Sequence, residues 1–481
     1  MSTTAPSPAI SAEVAELVAR ARTAQRAYER WDQSQVDLAV AAAGWAIVEP
    51  GRNRALAELA VRDTGIGNVA DKVRKNHRKT FGLLRDLQRA KSVGVIAQDA
   101  ATGIVEIARP VGVVCAITPS TNPGATPANK IINALKGRNA VIVAPSPKGW
   151  STCAMLIGYI HEQLQRIGMP PEMAQALVQV LPSPVSKQST AELMRACDLV
   201  VATGSQANVR AAYASGTPAF GVGAGNVAGI VDETADVQRA AELVTRSKTF
   251  DNATSCSSEN SLVIVDAVYE AMVAALVARG AVRLDAAQAR SLSALMWPGG
   301  KLSSAVIGQS AATIAQRAGW PDIAARAPTM LLVEQDLQSG GIGPEHPYSG
   351  EKLSPVLTLY RAADFDAAAA IVERIYAYEG AGHSVGLHSA VPERAMTLGL
   401  TLPVSRVIVD QAHCIATGGS FDNGLPFSLS MGCGTWGKNN FSENMNYRHY
   451  LNITRVSRPI AEVVPSEAEI FGKLFERTGG P

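Results

Sequence analysis

Cys256 is the residue of this sequence whose surroundings best suit chemistry. It lies in the stretch SKTFDNATSCSSENSLVIV, where small, turn-forming residues precede an apolar run typical of a strand. Cys115, Cys153 and Cys197 lie within apolar strand or helix patterns, and we interpret them as packed core thiols. A loop on an α/β scaffold can present a thiol to a cleft, where it can act as a nucleophile; an inert buried thiol is the alternative. No histidine lies within ten residues of Cys256, so any base must come from elsewhere in the chain.

Asn122 could assist such a nucleophile. It occurs in ITPSTNPGATPANK, a proline-rich turn between a buried strand pattern and a helix pattern. A side-chain amide at the carboxyl end of a strand can donate a hydrogen bond to the oxyanion that forms when a thiolate attacks a carbonyl. Asparagine before proline is also an ordinary turn former, so a structural role is the alternative.

Two glycine-containing turns could bind a phosphate-bearing cofactor. The stretch VVATGSQANVRAA places Thr203, Gly204 and Ser205 at a strand-to-helix turn, where backbone N–H groups can receive a pyrophosphate. The stretch FGVGAGNVAGIVD contains Gly223 and Gly225, at which the backbone could line a cofactor or a substrate. Neither turn is a GxGxxG fingerprint, and close-packed turns of an α/β fold would give the same patterns.

The overall composition favours small-molecule chemistry. The 44 Lys and Arg residues nearly balance the 42 Asp and Glu residues, so the net charge of +2 gives no reason to expect a nucleic-acid or membrane partner. The 6 cysteines form no CxxC pair and the 7 histidines are dispersed, so we expect no metal site. The N-terminal stretch MSTTAPSPAI lacks the features of a signal peptide, and no apolar run reaches the length of a membrane span. The expected location is therefore the cytoplasm.

Alternating strand and helix patterns must position these candidate residues. Helical periodicity dominates up to about residue 90, after which apolar runs such as GVVCAIT, AVIVAP and DLVVATGS alternate with helices. A second alternating set begins near residue 225, so the sequence predicts an α/β fold with two doubly wound, Rossmann-like parallel-sheet lobes. The predicted domains are a cofactor-binding domain over 1–224 with an oligomerisation hairpin near 95–110, a catalytic domain over 225–433, and a C-terminal segment over 434–481.

The C-terminal segment contains one further predicted strand. Its apolar residues Leu451, Ile453 and Val456 indicate a strand with one solvent-facing side. The free edge of such a strand could pair with a partner subunit or with the predicted hairpin. We expect a homodimer or a homotetramer.

Seven motifs together resemble the aldehyde dehydrogenase superfamily, and specifically its coenzyme A-acylating branch. In chain order they are TPSTNPGATP, VVATGS, PAFGVGAGNVAGIVD, SKTFDNATSC, EKLSPVL, AGHSVGLHS and MGCGTWGKNNFSEN. The resemblance spans about residues 11–460 and implies the aldehyde dehydrogenase fold, NAD(P)+ as cofactor and coenzyme A as co-substrate. It also implies that Cys256 is the nucleophile, that Asn122 stabilises the oxyanion together with the Cys256 N–H, and that Glu351 orients the nicotinamide ribose.

The same resemblance predicts which turns bind the cofactor, and this sequence differs from other family members at two informative places. It implies that the stretch from Thr203 to Ser205, with Gly223 and Gly225, lies along the bound cofactor. Hydrolytic members carry a water-activating glutamate where the aligned stretch VGAGN has Val222, so transfer of the acyl group to coenzyme A is favoured over hydrolysis. The stretch APSPKG offers no carboxylate to the adenosine ribose, and the nearby Lys148 would tolerate a 2'-phosphate, so NADP+ is permitted beside NAD+.

The implied reaction is the oxidation of a short-chain aldehyde to its acyl-CoA. His383 in GAGHS is the candidate for proton transfer, with a structural histidine as the alternative. The chain most resembles branch members that act on sulfoacetaldehyde, but enzymes acting on acetaldehyde, propionaldehyde or succinate semialdehyde share the motifs. An anionic aldehyde needs cations or hydrogen-bond donors, and the possible donors are Arg406, Asn439, Asn440 and Arg448.

A different class of function stays open from the residues alone. A non-redox acyltransferase could shuttle acyl groups on Cys256 without a nicotinamide cofactor. Such enzymes place a histidine beside the thiol, which here would have to come from a distant segment.

Overall fold

The computed structural model describes residues 8–223, 225–338 and 340–480. The α-helices of these residues are α1 Pro8–Tyr28, α2 Gln33–Val48, α3 Pro50–Thr64, α4 Val69–Leu87, α5 Ala125–Lys136, α6 Trp150–Arg166, α7 Pro171–Leu177, α8 Lys187–Ala196, α9 Gln206–Tyr213, α10 Val237–Thr249, α11 Asp266–Ala278, α12 Ala286–Met296, α13 Ala311–Arg317, α14 Pro321–Ala325, α15 Phe365–Tyr378, α16 Pro392–Thr401, α17 His413–Ala416 and α18 Glu467–Thr478. The strands are β1 Gly94–Asp99, β2 Ile104–Pro110, β3 Val113–Thr118, β4 Ala140–Pro145, β5 Val178–Val180, β6 Leu199–Thr203, β7 Ala219–Val222, β8 Val227–Val231, β9 Glu259–Val265, β10 Val282–Arg283, β11 Leu331–Glu334, β12 Val356–Ala362, β13 Val385–His388, β14 Val407–Val409 and β15 Leu451–Ser457.

The first parallel sheet has the strand order β5-β4-β3-β6-β7. Every residue of β3 and β4 is buried, as expected for continuous apolar strands that helices cover on both faces. Helices α1, α2, α5 and α6 contribute to the same hydrophobic core as these strands. The N-terminal helical layer is therefore part of the lobe that this sheet forms.

The second parallel sheet has the order β10-β11-β12-β9-β8-β13-β14. All of its neighbouring strands run parallel, and β9, which follows Cys256, is buried along its whole length. Two parallel sheets with alternating helices confirm the predicted doubly wound α/β architecture.

A third, antiparallel sheet joins the predicted hairpin to the C-terminal strand. Its order is β1-β2-β15, with Ile453 opposite Ala108 and Val456 opposite Val105. The strand predicted around Leu451 thus pairs with the hairpin of its own chain, the second of the two pairings that the sequence allowed.

The predicted domain boundaries remain predictions, although the sheets separate along the chain. Strands of the first sheet lie within 113–222 and those of the second within 227–409. Ala224, at which the predicted boundary falls, lies outside the described residues. None of the described helices is long and apolar enough to cross a membrane. Within the same residues, no group of three or more His, Cys, Asp and Glu side chains is arranged to hold a metal ion.

The candidate residues of the first lobe lie along one edge of its sheet. From the central strand β3 the chain proceeds to β4 and β5 on one side, and then to β6 and β7 on the other. Asn122 follows β3, Lys148 follows β4, and Thr203 ends β6. Since ligands of doubly wound folds bind at the carboxyl edge where the strand order reverses, this edge is the expected cofactor site.

Candidate active site

Cys256 follows a left-handed turn of the backbone. Asp251, Asn252 and Ala253 have φ angles of 50°, 53° and 59°, a region that residues with side chains rarely adopt. The turn follows α10, and Cys256 stands between it and β9. Cys256 is partly exposed, whereas the other five cysteines are buried. Cys256 is therefore the cysteine of the described residues that is least shielded from solvent.

Three residues from distant parts of the chain surround the Cys256 loop. A methyl group added at Gly225 would lie 2.6 Å from the Cys256 carbonyl oxygen and 2.8 Å from His383 Cδ2, so the Cys256 backbone and the His383 ring both pack against this glycine. The Gly225 N–H donates to Glu351 Oε1 at 3.3 Å. Folding thus brings a thiol, an imidazole and a carboxyl group to one place.

His383 belongs to a buried chain of polar groups. Its Nδ1 lies 2.8 Å from Ser384 Oγ, which lies 2.8 Å from His413 Nε2. His383 Nε2 is buried and has no hydrogen-bond partner among the described residues. The ring is therefore oriented through Nδ1, while Nε2 stays available on the side of Gly225 and Cys256.

The surroundings of Cys256 do not favour a preformed thiolate. Burial, the Glu351 carboxylate and the Cys433 thiol raise the pKa of Cys256 to about 12, although Arg406 opposes this shift. Burial and the Arg406 charge lower the pKa of His383 to about 3. At neutral pH the thiol is thus protonated and the imidazole uncharged, so the thiol proton has to leave as the thiol attacks.

Asn122 is held by a lysine from a helix of the N-terminal layer. Lys75 Nζ on α4 donates to Asn122 Oδ1 at 2.8 Å and to Asp251 Oδ2 at 2.5 Å. Lys75 and Asp251 are both buried. The same ammonium group therefore contacts both Asn122, the candidate oxyanion donor, and Asp251 in the turn before Cys256.

The turn after β6 has the features of a helix start that could hold a phosphate. Ser205 caps α9 by accepting a hydrogen bond from the Asn208 N–H at 3.3 Å. The Gly204 N–H donates to the Val222 carbonyl at 3.2 Å, and Thr203 Oγ1 lies 2.7 Å from Ser430 Oγ. The predicted residues Thr203, Gly204 and Ser205 thus occupy the carboxyl edge of the sheet.

Gly223 and Lys148 lie at the same edge. A methyl group at Gly223 would lie 2.5 Å from Gln206 Nε2, so the Gln206 side chain at the start of α9 packs directly over this glycine. Lys148 is exposed in the turn after β4, on the opposite side of β3 from Thr203. A capped helix start, a close-packed glycine and an exposed cation fit the pyrophosphate and the ribose phosphate of a dinucleotide.

A cavity of about 980 Å³ opens beside Asn122 and Ser255. Among its described lining residues, Asp71 is the single carboxylate. The Lys and Arg residues that line it are Arg54, Arg74, Lys75, Arg78, Lys79 and Arg246. Three of them pair with carboxylates, Arg54 with Glu58, Arg74 with Asp71 and Lys75 with Asp251. The remaining Arg78, Lys79 and Arg246 leave an excess of positive charge that favours an anionic ligand.

Two of these cations are held by uncharged acceptors. Lys79 Nζ donates to the Gly418 carbonyl at 2.7 Å, and the Arg78 guanidinium donates to the Ile415 carbonyl at 3.2 Å and to Ser420 Oγ at 2.8 Å. Burial and the neighbouring Arg78 lower the pKa of Lys79 to about 7. Their positive charges are not neutralised by direct contact with a carboxylate of the described chain.

Comparisons with known proteins decide the family. Residues 4–290 match the family model described as "Aldehyde dehydrogenase family". Over 474 residues the chain is 65% identical to "Sulfoacetaldehyde dehydrogenase (acylating)" of Cupriavidus necator, which covers 98% of this chain and 94% of that protein. This chain belongs to the aldehyde dehydrogenase family.

Other aldehyde dehydrogenases agree with this assignment. The chain is 37% identical to "Succinate-semialdehyde dehydrogenase (acetylating)" of Clostridium kluyveri, over 95% of this chain and 99% of that protein. A crystal structure of an acetylating aldehyde dehydrogenase from Geobacillus thermoglucosidasius superposes with a TM-score of 0.89 at 32% identity, covering 95% of this chain and 99% of that one. The chain is an oxidoreductase of the aldehyde dehydrogenase type, and the predicted fold and resemblance to the acylating branch are confirmed.

Three of the predicted anion donors are occupied in holding this aldehyde dehydrogenase together. The buried Arg406 donates to the carbonyls of Gly432 and Ser442 at 3.0 Å and 2.8 Å. Asn439 Oδ1 accepts from the Cys433 N–H at 2.9 Å, and Asn440 Nδ2 donates to the Ala219 carbonyl at 3.0 Å.

The fourth predicted donor lies in a different part of the surface. Arg448 lines a separate groove beside β15. Neither these four residues nor Cys256 is among the described residues that line the cavity beside Asn122, so the role of the four in binding an anion remains a prediction.

The sequence reasoning did not identify the cations on α4. Lys72, Lys75 and Lys79 recur at the spacing of one helix face, and that face is buried. Three lysines on a buried face are unusual, because a buried ammonium needs a partner. The helical spacing of these lysines was therefore the sequence feature that could have indicated a cluster of cations at the site.

Glu351 gives the aldehyde dehydrogenase a predicted pH dependence. Burial and the Glu379 carboxylate raise the pKa of Glu351 from 4.5 to about 8, opposed by the Gly225 N–H and Lys248. Between these values the folded chain keeps a proton that the unfolded chain has lost, so Glu351 makes stability fall as pH rises towards about 8. We expect Glu351→Gln to remove this contribution, so that its melting temperature rises relative to wild type from about pH 5 to about pH 8. Thermal unfolding of both proteins across this pH range checks the expectation. A difference between the two melting temperatures that stays constant with pH would contradict it.

Proposed function

We propose that this chain oxidises sulfoacetaldehyde to sulfoacetyl-CoA, with NAD(P)+ as the hydride acceptor and coenzyme A as the acyl acceptor. The names of its curated relatives support the reaction class. The cations that line the cavity beside Asn122 are the observation that supports an anionic aldehyde as the substrate. The predicted roles of the site residues remain part of this proposal.

In the proposed first half-reaction, Cys256 Sγ forms a bond to the aldehyde carbon. The thiol proton leaves as the carbon–sulfur bond forms and passes to His383 Nε2, which lies beside Gly225 and has no partner in the described chain. The developing oxyanion stabilises the imidazolium that burial disfavours in the free site. Asn122 Nδ2 and the Cys256 N–H stabilise the oxyanion. As the oxyanion collapses and leaves a thioester on Cys256, the hydrogen of the former aldehyde carbon would depart as a hydride, for which bound NAD(P)+ would supply the acceptor. The residues that would hold it are Thr203, Gly204, Ser205, Gly223, Gly225, Lys148 and, at the nicotinamide ribose, Glu351.

In the proposed second half-reaction, the acyl group leaves Cys256 after His383 has released the first proton to solvent. The thiol of coenzyme A attacks the thioester carbon while its proton goes to His383. The bond to Cys256 Sγ then breaks, and the departing thiolate takes this proton back. The same oxyanion donors, Asn122 Nδ2 and the Cys256 N–H, act again. The products are an acyl-CoA and the regenerated cysteine.

Lys79 is the best-placed cation for a sulfonate close to the thiol. The Lys79 charge and the Cys256 thiol influence each other electrostatically, and Lys79 has a carbonyl as its hydrogen-bond acceptor in the described residues. A sulfonate next to this ammonium would favour its charged form. Sulfoacetaldehyde is short, so its anion has to bind near the reacting carbon.

We expect Lys79→Met to raise the KM for sulfoacetaldehyde by about 10- to 100-fold, because a hydrogen bond to a charged group contributes about 1.5–3 kcal/mol. The KM for acetaldehyde should change by less than about threefold, since this aldehyde carries no anion. Both KM values are obtained from the initial rate of coenzyme A-dependent formation of reduced cofactor. Faster turnover of acetaldehyde than of sulfoacetaldehyde by the wild type would refute the proposed substrate, and an equal rise for both aldehydes would refute the role of Lys79.

Succinate semialdehyde is the second candidate substrate. The lining cations favour a carboxylate as they favour a sulfonate. Succinate semialdehyde differs from sulfoacetaldehyde in the longer distance between its anion and its aldehyde carbon. Measuring the same rates with succinate semialdehyde compares the two substrates.

We also propose that the chain assembles as a homodimer or a homotetramer. Strand β15 lies at the edge of the small sheet, and apolar side chains beyond it are exposed, among them Ile470, Phe471 and Leu474 on α18. An edge strand and exposed apolar side chains both favour association.

A further inference from the structure

The ammonium group of Lys75 contacts both parts of the proposed catalytic machinery. Its Nζ donates to Asn122 Oδ1 at 2.8 Å, to Asp251 Oδ2 at 2.5 Å and to Thr254 Oγ1 at 3.2 Å. These acceptors come from the loop after β3 and from the turn before Cys256. We propose that Lys75 is a positioning residue, which orients the Asn122 amide and fixes it relative to the Cys256 loop. This inference rests on the proposed function.

The contact determines which way the Asn122 amide faces. An ammonium group has only donors, so the atom it contacts has to be the carbonyl oxygen, Oδ1. The Nδ2 group, which carries the two donors, is consequently directed away from Lys75. An amide that could rotate would offer an oxyanion either its donors or its acceptor. The lysine therefore selects the orientation that stabilises negative charge.

Asp251 ties this lysine to the thiol loop. The Asp251 carboxylate accepts from the Asn68 N–H at 3.0 Å and from Thr254 Oγ1 at 2.8 Å, besides the two lysines Lys72 and Lys75. Burial alone would raise the pKa of Asp251, but the two lysines hold it below its ordinary value. Asp251 also begins the left-handed turn, a conformation that persists only where surrounding contacts enforce it. Its ionised side chain provides those contacts.

Lys72 offers a matched comparison. It lies one turn before Lys75 on the same buried face of α4 and donates to the same atom, Asp251 Oδ2, at 3.1 Å. Its second acceptor is the backbone carbonyl of Thr121 at 3.0 Å rather than the Asn122 side chain. Removal of either ammonium weakens the same buried ion pair. Only the removal of Lys75 frees the Asn122 amide.

The test compares Lys75→Met with Lys72→Met. Both variants should unfold at a lower temperature, because each leaves Asp251 with one cation fewer. The pre-steady-state burst of reduced cofactor, which reports acyl-enzyme formation, should slow by about 10- to 100-fold in Lys75→Met and by less than about threefold in Lys72→Met. The rate of Cys256 alkylation by iodoacetamide, which needs no oxyanion donor, should stay within about twofold of wild type in Lys75→Met.

Asn122→Ala provides the reference for the same burst. It should slow the burst by about 10²- to 10³-fold, and Lys75→Met in that background should add less than about twofold. The positioning role would be overturned if the slowing factors of Lys75→Met and Asn122→Ala multiplied in the double variant. Equal slowing of the burst by Lys72→Met and Lys75→Met would also overturn it, as would a loss of alkylation rate in Lys75→Met equal to its loss of burst rate. A normal burst in Asn122→Ala would instead refute the proposed function of Asn122. If Lys75→Met does not fold, Lys75→Gln, which keeps an N–H donor, should show a smaller slowing with the same non-additivity.

Discussion

Cys256→Ala should lower aldehyde-dependent formation of reduced cofactor by about 10⁴-fold or more. Loss of the group that forms the covalent intermediate removes the whole reaction path, as substitutions of nucleophiles in other enzymes do. Cofactor binding should persist, since the proposed cofactor residues lie at the carboxyl edge of the first sheet. Initial rates with aldehyde, coenzyme A and NAD(P)+, together with a cofactor titration, measure the two effects separately.

Cys433→Ala is the matched control for this substitution. Its thiol is close enough to influence the pKa of Cys256, and it is buried. We expect its rate to stay within about threefold of wild type, because a small buried thiol that forms no bond to the substrate contributes mainly packing. Comparable losses in both variants would mean that the thiols act together. A normal acyl exchange without cofactor would indicate the acyltransferase alternative.

Removal of coenzyme A should stop turnover after about one reduced cofactor per active site. Hydrolysis of the Cys256 thioester needs a base that activates water, and Val222 stands where hydrolytic aldehyde dehydrogenases carry that glutamate. Val222 is buried at the end of β7, so it offers no polar group to a water molecule. General-base catalysis contributes about 10²- to 10⁴-fold, and we expect the steady-state rate without coenzyme A to be lower by about that factor.

Single-turnover kinetics and product analysis check this expectation. The burst amplitude gives the acyl-enzyme, and the free acid released afterwards gives hydrolysis. Glu351 is the carboxyl group that could substitute as a base, but its raised pKa of about 8 keeps it protonated at neutral pH. Glu351→Gln should therefore leave the slow hydrolysis unchanged at pH 7. Release of free acid as fast as the thioester forms would contradict the interpretation of Val222.

Local patterns predicted the order of the elements. Continuous apolar runs such as β3 and β4 indicate strands buried on both faces, and helical spacing between them indicates the crossovers of a parallel sheet. The same local reasoning distinguished the loop cysteine from those in apolar runs. The ordered motifs of the acylating branch then indicated the reaction class. Each of these inferences needs only residues that are close in sequence.

The sequence did not reveal the contacts that give the site its chemistry. The helical spacing of Lys72, Lys75 and Lys79 is readable, but their burial against Asp251 and the carbonyl of Gly418 is not. The predicted anion donors were chosen for their chemical type. Arg406 shows why this was insufficient, since its donors are taken up by backbone carbonyls that only the folded chain brings near.

The sequence by itself therefore determined the α/β fold, the family and the place of Cys256 on a loop, because periodicity and motifs are properties of neighbouring residues. The tertiary structure alone decided that Gly225, Glu351 and His383 surround that loop and that Lys75 contacts Asn122. It also decided that the thiol is protonated at neutral pH, with a pKa of about 12. Desolvation and charge act through space, so groups that are distant in sequence set the pKa values and the orientation of the reacting side chains.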